Sequence, residues 1–405
     1  MARSIVFIMA VPFTEHYAKH FGVSVLNSKG IDVHIINLSG LINTQFFYHG
    51  HNQSAIKEDW VYYINSYPDF EKKIKELSRT SVFVDALIGL SGIDLKHEKV
   101  FRILKKHHAK YYLYADTEVP MSSVKKGVLS KDRLQKYLKI FDIQCVWNQI
   151  TTRIIRILIK TLGIYPLPAR IFSLETEKLK RYMRRYDDGT IISTFINSYD
   201  YNVYLDYIKE HKEAALDTTK TCVFIDEGAI DSYDFDILKM KKLDVTKYLD
   251  VMNHLFERIE EETGLEVIVA AHPRSNYEQL PNAFGGRKII KWKTLELVAK
   301  SNLVIVHYSA ATSYAVLFNK PILVVKTDDM IKAKRTVFID RIADELELKS
   351  LNIEDQKEMD ALSEYMTKAQ KANFDRYKYK YLVSRGAENM ATWDMIAEAI
   401  LKEHA

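Results

Sequence analysis

The sequence predicts an α/β protein with two Rossmann-like domains, each built on a doubly wound parallel sheet. Short apolar segments alternate with helical segments over residues 1–165, and the same alternation returns over residues 216–375. Strands that alternate with helices form parallel βαβ units. In addition, Leu265–Ala271 is a nearly continuous apolar run, which is typical of a strand covered by helices on both faces.

In the first domain, short apolar segments predict the strands. These are Ser4–Ala10, Asp32–Asn37, Ser81–Leu90, Lys110–Tyr114 and Ile143–Trp147. Helices are predicted at Glu15–Asn27 and Lys96–His107. Residues 166–215 interrupt the alternation, because Leu174–Tyr186 is rich in Lys and Arg and Ile191–Tyr201 is polar and aromatic. We therefore expect the chain to cross between the domains there.

The second series of strands and helices is clearer. Val245–Thr263 has apolar residues at helical spacing and is followed by Gly264, which suits a left-handed C-cap. The predicted strands are Thr221–Ile225, Leu265–Ala271, Lys288–Lys291, Leu303–Val306 and Pro321–Val325. The shorter predicted helices are Thr294–Ala299 and Ser309–Phe318. Residues 376–405 read as a helical segment that could pack back on the N-terminal domain.

Composition limits the classes of protein. The chain has 405 residues, of which 47% are hydrophobic and 27% charged, as in a globular protein with two domains. No apolar run reaches the roughly 18 residues of a membrane span, and we read the apolar start as a first strand, so we expect a cytoplasmic protein. Cys145 and Cys222 are too few for a disulfide framework or a cysteine zinc site.

The net charge of +5 is a mild basic bias. It suits an anionic substrate, and it would also suit contact with the inner surface of an anionic membrane. Nucleic-acid binding is not favoured, because the sequence has no long Lys/Arg run or known recognition motif. The basic segment Glu177–Arg185 could lie on anionic lipid or simply face solvent.

Polar motifs follow three strands of the second domain. They are Asp226-Glu227-Gly228, His272-Pro273-Arg274-Ser275 and His307-Tyr308-Ser309. Ligands of open parallel sheets bind beyond the carboxyl ends of the strands. Three strand ends with carboxylate, imidazole, guanidinium and hydroxyl groups therefore predict one ligand site along one edge.

Part of this edge suits a phosphate. The segment Ser309–Ser313 is predicted to open a helix, whose N-terminus attracts anions, with hydroxyl donors from Ser309, Thr312 and Ser313. An ordinary N-cap serine would give the same pattern. His272 could bind a phosphate oxygen or protonate it as a nucleotide leaves.

Other residues are assigned to nucleotide binding by their position. Arg274 could contact the phosphate, Pro273 stops the strand and fixes the turn, and His307 follows its strand directly. Glu296 could bind a ribose diol, although an acid in the first helical turn is common.

The acid pair is the candidate for acid–base chemistry. Either Asp226 or Glu227 could deprotonate an acceptor hydroxyl, and only one of them should be the base. Gly228 permits a tight turn and close approach of a substrate. A plain pair of loop acids is the alternative interpretation.

The first domain offers weaker candidates for an acceptor site. Thr14, Glu15 and His16 follow one predicted strand, and Asp116 and Glu118 follow another. We predict no metal and no cofactor, since Asp234-Phe235-Asp236 is a short and common pattern.

The three motifs resemble those of GT-B bacterial sialyltransferases and related nonulosonic-acid transferases. That family has an [Asp/Glu]-[Asp/Glu]-Gly motif, a His-Pro motif and a later Ser/Thr motif in the same order. The resemblance covers roughly residues 221–325. It implies the GT-B fold, in which two Rossmann-like domains face each other across a cleft.

The resemblance also implies roles for individual residues. The acid of the first motif, Asp226 or Glu227, would be the general base. His272 would contact the CMP phosphate and assist its departure, and Ser309 with Thr312 would bind the same phosphate. In that family the third motif has two adjacent hydroxyl residues, whereas Ser309 is followed here by two alanines.

The leading hypothesis is an inverting, metal-independent transfer of an acidic sugar from a CMP-sugar to a hydroxyl of a bacterial surface glycan. The partners would be the nucleotide-sugar donor and a glycan or lipid-linked glycan acceptor. Two alternatives stay open: a GT-B transferase with a UDP-sugar or CDP-polyol donor, and a non-catalytic nucleotide-binding scaffold of a glycan assembly complex.

Overall fold

A computed structural model describes residues 4–43, 55–115, 154, 165–211, 219–230, 241–273, 275–280, 282–366 and 371–404. These residues divide into two compact units. The first contains the described residues before 116, Ile154, the residues from 165 to 199 and those from 384 to 404. The second contains the described residues from 200 to 383.

The first unit is a seven-stranded sheet in the order β3-β2-β1-β4-β5-β6-β7, and every pairing is parallel. Its strands are β1 (Ser4–Met9), β2 (Asp32–Asn37), β3 (Val61–Tyr63), β4 (Ser81–Asp85), β5 (Tyr111–Ala115), β6 (Arg170–Ser173) and β7 (Ile192–Phe195). The helices that belong to this unit before the chain crosses are α1 (Glu15–His20), α2 (Val23–Ser28), α3 (Ser39–Ile42), α4 (Tyr67–Leu77), α5 (Glu98–Lys106) and α6 (Glu177–Tyr186).

Strand β1 shows why this sheet needs helices on both faces. Val6 and Ile8 pack into one apolar core, whereas Ile5, Phe7 and Met9 pack into another. All five side chains are at most 1% exposed. Because successive side chains of a strand point to opposite faces, a run of buried apolar residues places a core on each side.

The second unit is a six-stranded parallel sheet in the order β10-β9-β8-β11-β12-β13. Its strands are β8 (Thr221–Ile225), β9 (Glu266–Ala271), β10 (Ile289–Lys291), β11 (Leu303–Val306), β12 (Ile322–Lys326) and β13 (Ser350–Asn352). The two sheets confirm the predicted fold class of two doubly wound α/β domains.

Helices surround this second sheet. They are α7 (Tyr199–His211), α8 (Val245–Thr263), α9 (Thr294–Lys300), α10 (Thr312–Leu317), α11 (Asp328–Lys332), α12 (Thr336–Leu346), α13 (Gln356–Asp360), α14 (Leu362–Tyr365) and α15 (Lys371–Tyr381). Helix α8 has the predicted bounds, because the Asp244 carboxylate accepts a hydrogen bond from the Lys247 N–H at its start and Gly264 is left-handed at its end.

The chain passes from the first unit to the second between Tyr199 and Asp200. Strands β6 and β7 therefore belong to the first sheet, although they lie in the segment 166–215 that the sequence analysis assigned to the crossing. Both strands are short, and β7 has no fully buried residue. The β7 segment therefore lacks the continuous apolar run from which the other strands were predicted. The predicted strand Ile143–Trp147 lies outside the described residues.

The predicted helix Glu15–Asn27 is two helices, α1 and α2. Gly22 adopts a left-handed conformation between them, with φ of 56°. A Cβ atom built on Gly22 would lie 2.1 Å from Cγ of Trp393. The break therefore allows an indole ring to lie against the backbone, a constraint that only a distant part of the chain imposes.

Trp393 belongs to α16 (Thr392–His404), which returns to the first unit after the chain has formed the second. Its indole N–H donates to the carbonyl of His20 at 2.8 Å, and Ile396 and Ile400 enter the same core as β1. Of the predicted helical segment 376–405, α15 contributes to the second unit and α16 to the first.

Glu403 fastens the far end of α16. Its carboxylate accepts hydrogen bonds from Arg170 at 2.6 Å, from Lys110 at 2.8 Å and from the Tyr112 hydroxyl. Burial opposes ionisation of Glu403, but these donors outweigh it and lower its pKa to about 2. The ionised carboxylate therefore ties α16 to β5, β6 and the residue before β5.

Among the described residues, no helix is long and apolar enough to cross a membrane.

We expect Gly22→Ala to destabilise the first unit by about 2–4 kcal/mol, since it combines left-handed strain with a clash against Trp393. Gly30→Ala is the matched control. Gly30 is also left-handed, but a Cβ atom there would meet nothing within 4 Å. It should cost only about 1–2 kcal/mol. Urea unfolding of both variants measures the difference, and equal losses would show that the contact with Trp393 is unimportant.

Candidate functional site

Strand order brings the three polar motifs together. Strands β9, β8 and β11 are neighbours in the second sheet and run parallel, so their carboxyl ends lie side by side. Asp226, His272 and His307 directly follow these three strands. The edge formed by these strand ends is called the rim below.

Asp226 ties two of the strand ends to each other. Its Oδ1 accepts a hydrogen bond from the Gly228 N–H at 2.9 Å, and its Oδ2 accepts one from the His272 N–H at 3.0 Å. The residue is only 3% exposed. Burial raises the pKa of Asp226, while the two backbone donors and Tyr277 favour the ionised form. Both oxygens thus serve the backbone of the rim.

Gly228 lies against the ring of His272. Its φ of 73° is left-handed, and a Cβ atom on it would lie 3.4 Å from Cγ of the imidazole. Any other residue would add left-handed strain, whereas a Cβ atom at this distance would make a van der Waals contact with the ring. The glycine of the first motif is therefore required by its turn.

Glu227 reaches the third strand end. Its Oε2 accepts a hydrogen bond from the Tyr308 N–H at 2.9 Å, and the side chain is partly exposed. Burial and the charge of Asp226 raise the pKa of Glu227 to about 8, against the opposing effects of the Tyr308 N–H and of Arg335. The two acids thus differ: Asp226 is enclosed, whereas Glu227 remains accessible and holds its proton near neutrality.

The helix after β11 begins later than predicted, at Thr312 instead of Ser309. The residues between Ser309 and the start of α10 form a turn. The Ser309 Oγ accepts a hydrogen bond from the Ala311 N–H at 3.2 Å, and the Ser309 carbonyl accepts one from the Thr312 N–H at 3.1 Å. Among the described residues, nothing accepts from the N–H groups of Ser309 and Ala310. These donors belong to the turn after β11, and not to a regular helix N-terminus.

Thr312 and Ser313 are buried, whereas the sequence predicted that their hydroxyls contribute to a phosphate site. They are 0% and 1% exposed. The Ser313 Oγ donates to a carboxylate oxygen of Asp200, at the start of α7, at 2.6 Å and so anchors α10 inside the second unit. The Thr312 Oγ1 is buried and has no hydrogen-bond partner among the described residues, and Ser309 is the hydroxyl residue of this motif that is partly exposed.

His307 is also buried, with no exposed surface, so it does not fit the predicted contact with a nucleotide. Its Nδ1 lies 2.7 Å from the Val325 carbonyl and its Nε2 lies 2.9 Å from the Tyr248 hydroxyl. Burial lowers the pKa of His307 to about 4, so the ring is neutral. Nδ1 then donates to Val325, and Nε2 accepts from Tyr248. The buried ring thus ties the end of β11 to the Val325 carbonyl and to the Tyr248 hydroxyl.

The remaining residues of the second unit that were predicted to bind the nucleotide are Pro273, Arg274 and Glu296. Pro273 is exposed after β9, and Glu296 is exposed in the first turn of α9, which follows β10. Arg274 lies outside the described residues.

In the first unit, Thr14 is the N-cap residue of α1, and Glu15 and His16 are exposed on that helix. The His16 ring lies 5.6 Å from the ring of Tyr199. Partial burial, with the charges of His20 and Lys19, lowers the pKa of His16. Asp116 and Glu118 lie outside the described residues.

Sequence reasoning missed two residues beside the His-Pro turn. Lys291, at the end of β10, donates to the Ser275 carbonyl at 2.5 Å and so braces that turn. Trp292 follows with 71% of its surface exposed and a left-handed φ of 66°. A tryptophan directly after a predicted strand was the available signal, because strand ends carry the site and an exposed indole is unusual.

In the described parts of the chain, no group of three or more His, Cys, Asp and Glu side chains is placed to hold a metal ion. Asp234 and Asp236 lie outside the described residues.

No protein-family model matches the sequence, and no curated protein matches it either. Solved structures do. Os79 from O. sativa in complex with UDP has a TM-score of 0.52 at 10% identity, over 99% of this chain and 100% of that one. UGT2 from Phytolacca americana, complexed with UDP-2fluoro-glucose and pterostilbene, has a TM-score of 0.51 at 11% identity, over 99% and 100%. UDP-GlcNAc 2-epimerase from Methanocaldococcus jannaschii has a TM-score of 0.48 at 14% identity, over 98% and 99%.

The first two likenesses extend over nearly the whole of each chain, and they identify the fold of this protein as GT-B. At such low identity they show the fold alone.

The raised pKa of Glu227 predicts a stability effect with a definite sign. Above pH 4.5 the unfolded chain releases this proton, but the folded chain keeps it until about pH 8. The residue therefore lowers stability as pH rises through this window. Glu227→Gln should stabilise the protein at pH 8 by about 3–5 kcal/mol, and by much less at pH 5.

Urea unfolding between pH 5 and 9 measures this gain. Glu261→Gln, on the exposed side of α8, is the control. A gain for Glu227→Gln that does not vary with pH would contradict the raised pKa.

Proposed function

We propose that the protein is a glycosyltransferase that moves an acidic, nonulosonic sugar from a CMP-sugar to a hydroxyl of a bacterial surface glycan, with inversion and without a metal. The observation that carries this proposal is the joining of the three motifs by Asp226 and Glu227. Their resemblance to sialyltransferase motifs supports the choice of donor, and the GT-B fold is compatible with it.

Glu227 suits the role of general base better than Asp226. Both oxygens of Asp226 already accept backbone hydrogen bonds in a buried position, whereas in the described part of the chain only one oxygen of Glu227 is engaged in this way. A base with a raised pKa is also stronger once it has lost its proton. Asp226 then serves to position the turn that presents Glu227.

The chemical step follows from these positions. Glu227 accepts the proton of the acceptor hydroxyl, and the freed oxygen bonds to the anomeric carbon. The bond from that carbon to the phosphate oxygen breaks on the opposite side, and its electron pair leaves with CMP. Attack opposite the leaving group inverts the anomeric centre. The transition state is oxocarbenium-like, so charge that builds up on the phosphate must be stabilised.

His272 and the turn at Ser309 are the groups that would stabilise the phosphate. The imidazole can donate to a phosphate oxygen or protonate it as CMP departs. The backbone N–H groups of Ser309 and Ala310 and the Ser309 hydroxyl would add hydrogen bonds to the same anion. Lys291 would act indirectly, since it holds the His-Pro turn through the Ser275 carbonyl.

Trp292 is the candidate platform for the nucleobase. Its indole is largely exposed beside the β10 end, and its left-handed backbone is strained. Such strain is common at ligand sites. Stacking of a base on an aromatic ring contributes about 1–3 kcal/mol. Glu296, one turn into the next helix, would then lie near the ribose.

Acceptor binding by Thr14, Glu15 and His16 stays a prediction, as does contact of the protein with the inner membrane surface. Neither is needed for the chemistry proposed at the rim.

Donor screening tests the reaction. The full chain should release CMP from a CMP-nonulosonic acid in the presence of a glycan acceptor. Glu227→Gln and His272→Ala should each lower this rate by about 10²–10⁴-fold, as removal of acid–base groups does. His254→Ala, which changes an exposed histidine of α8, is the control and should keep the wild-type rate.

Release from UDP-sugars or a CDP-polyol instead would refute the CMP-sugar donor but keep the reaction class. Nucleotide binding without turnover, unaffected by Glu227→Gln, would point to the scaffold.

Calorimetry with CMP tests the platform. Trp292→Ala should weaken CMP binding by about tenfold or more, while Trp292→Phe should retain most of the affinity because it keeps an aromatic face. Equal affinities of the alanine variant and the wild type would remove Trp292 from the site.

A further inference from the structure

A buried arginine lies behind the rim, and none of the motifs includes it. Arg335 is 3% exposed and stands between α11 and α12. Its own backbone is held, since its N–H donates to the Met330 carbonyl at 2.9 Å. The guanidinium is therefore presented from a fixed point of the second unit.

The guanidinium binds the chain just after the acid pair. Its Nη1 donates to the Ala229 carbonyl at 2.8 Å, and its Nη2 donates to the Lys241 carbonyl at 2.8 Å. Ala229 is two residues after Glu227. The planar fork of an arginine can hold two acceptors at once in a fixed geometry, which an ammonium group on a flexible stem cannot do as well.

The charge of Arg335 acts on Glu227. Among the groups that face this carboxyl, Asp226 disfavours its ionised form, whereas the Tyr308 N–H and Arg335 favour it. The Tyr248 and Tyr308 hydroxyls also sense Glu227, and both remain protonated because burial raises the pKa of each. His307, behind them, is neutral. Among the described groups that act on Glu227, Arg335 thus supplies the positive charge.

A buried cation at this position needs a compensating anion. Two backbone carbonyls can be satisfied by neutral donors, whereas burial of a cation is costly unless an anion compensates for it. The arginine donates to carbonyls, and among the described acids it is Glu227 whose charge favours the charged form of the guanidinium.

We propose that Arg335 is a positioning residue of this site, which holds the Ala229 and Lys241 carbonyls and supplies a positive charge that favours the ionised Glu227 carboxylate, the form that acts as a base. This inference rests on the proposed function in so far as Glu227 is the base of the reaction.

The test compares Arg335→Gln and Arg335→Lys with the wild type by the pH dependence of kcat/KM. In the wild type this rate should rise with pH to a plateau above about pH 8, as Glu227 loses its proton. Arg335→Gln should move the midpoint upward by about one pH unit, a tenfold loss below the midpoint, with a plateau within about threefold of the wild type. Arg335→Lys should keep the midpoint but lower the plateau.

Arg287→Gln is the matched control. Arg287 is also largely buried in the second unit, but it binds Glu260 at 2.6 Å and precedes β10, away from the rim. Its loss should reduce stability without moving the midpoint. A loss of rate by the same factor at every pH in Arg335→Gln would overturn the proposal, since a merely structural residue behaves that way.

A second measurement does not need turnover. ¹³C NMR of labelled glutamate carboxyl groups should show a signal that titrates near pH 8 and disappears in Glu227→Gln. Its midpoint should rise in Arg335→Gln, and an unchanged midpoint would contradict the role of Arg335 even if no donor is ever turned over. Lack of turnover in the wild type, with the NMR shift present, would instead refute the proposed function alone.

Arg335→Gln could also fail to fold, and circular dichroism would reveal this. The double variant Arg335→Gln/Glu227→Gln then decides. Restored folding of the double variant would show that the single variant failed because Glu227 lost the positive charge of Arg335. Continued failure would contradict this role of the Arg335 charge.

Discussion

The site depends on one carboxylate that accepts backbone hydrogen bonds from two strand ends. Where parallel strands end, the sheet no longer supplies partners for the next N–H groups. The Asp226 carboxylate binds the N–H of Gly228 in its own turn and that of His272 in the neighbouring one. Glu227 extends the arrangement to Tyr308. Adjacent acids in the sequence thus join three turns that are far apart in the chain.

The two acids of the pair differ in their surroundings, although the sequence alone does not distinguish them. A carboxylate that holds backbone groups must be enclosed, and one that exchanges a proton with a substrate must be reachable. Asp226 meets the first demand and Glu227 suits the second. The same closeness couples them electrostatically, because the negative charge of Asp226 makes Glu227 reluctant to ionise. The same pair of residues therefore holds the turns together and sets the pKa of Glu227.

The parts of the fold that could be predicted are those with strong local patterns. Strands β8 and β11 and helix α8 have the predicted bounds, because buried apolar runs, an N-cap aspartate and a C-cap glycine mark them. Strands β3, β6, β7 and β13 were missed, since three or four mixed residues are held by pairing with a neighbour and not by their own composition.

For the site, the sequence predicts where the motifs lie along the chain but not how their side chains are oriented. Strand periodicity shows that a motif follows a strand, but not which way each side chain points. His307 turns inward to Tyr248, and Ser313 turns to Asp200, partners that are remote in sequence. Arg335 has no local signal at all, because its role arises only where α12 packs behind the rim. Fold likeness at about a tenth identity adds nothing about such side chains.

The return of α16 has a consequence for biosynthesis. A ribosome makes the strands of the first unit early, but Trp393 and Ile396, which complete one face of their sheet, emerge only after the whole second unit. Until then that face is an open apolar surface beside β1 and α2. The nascent first unit is thus exposed to aggregation and to chaperones while the second one folds, although it is the first to leave the exit tunnel.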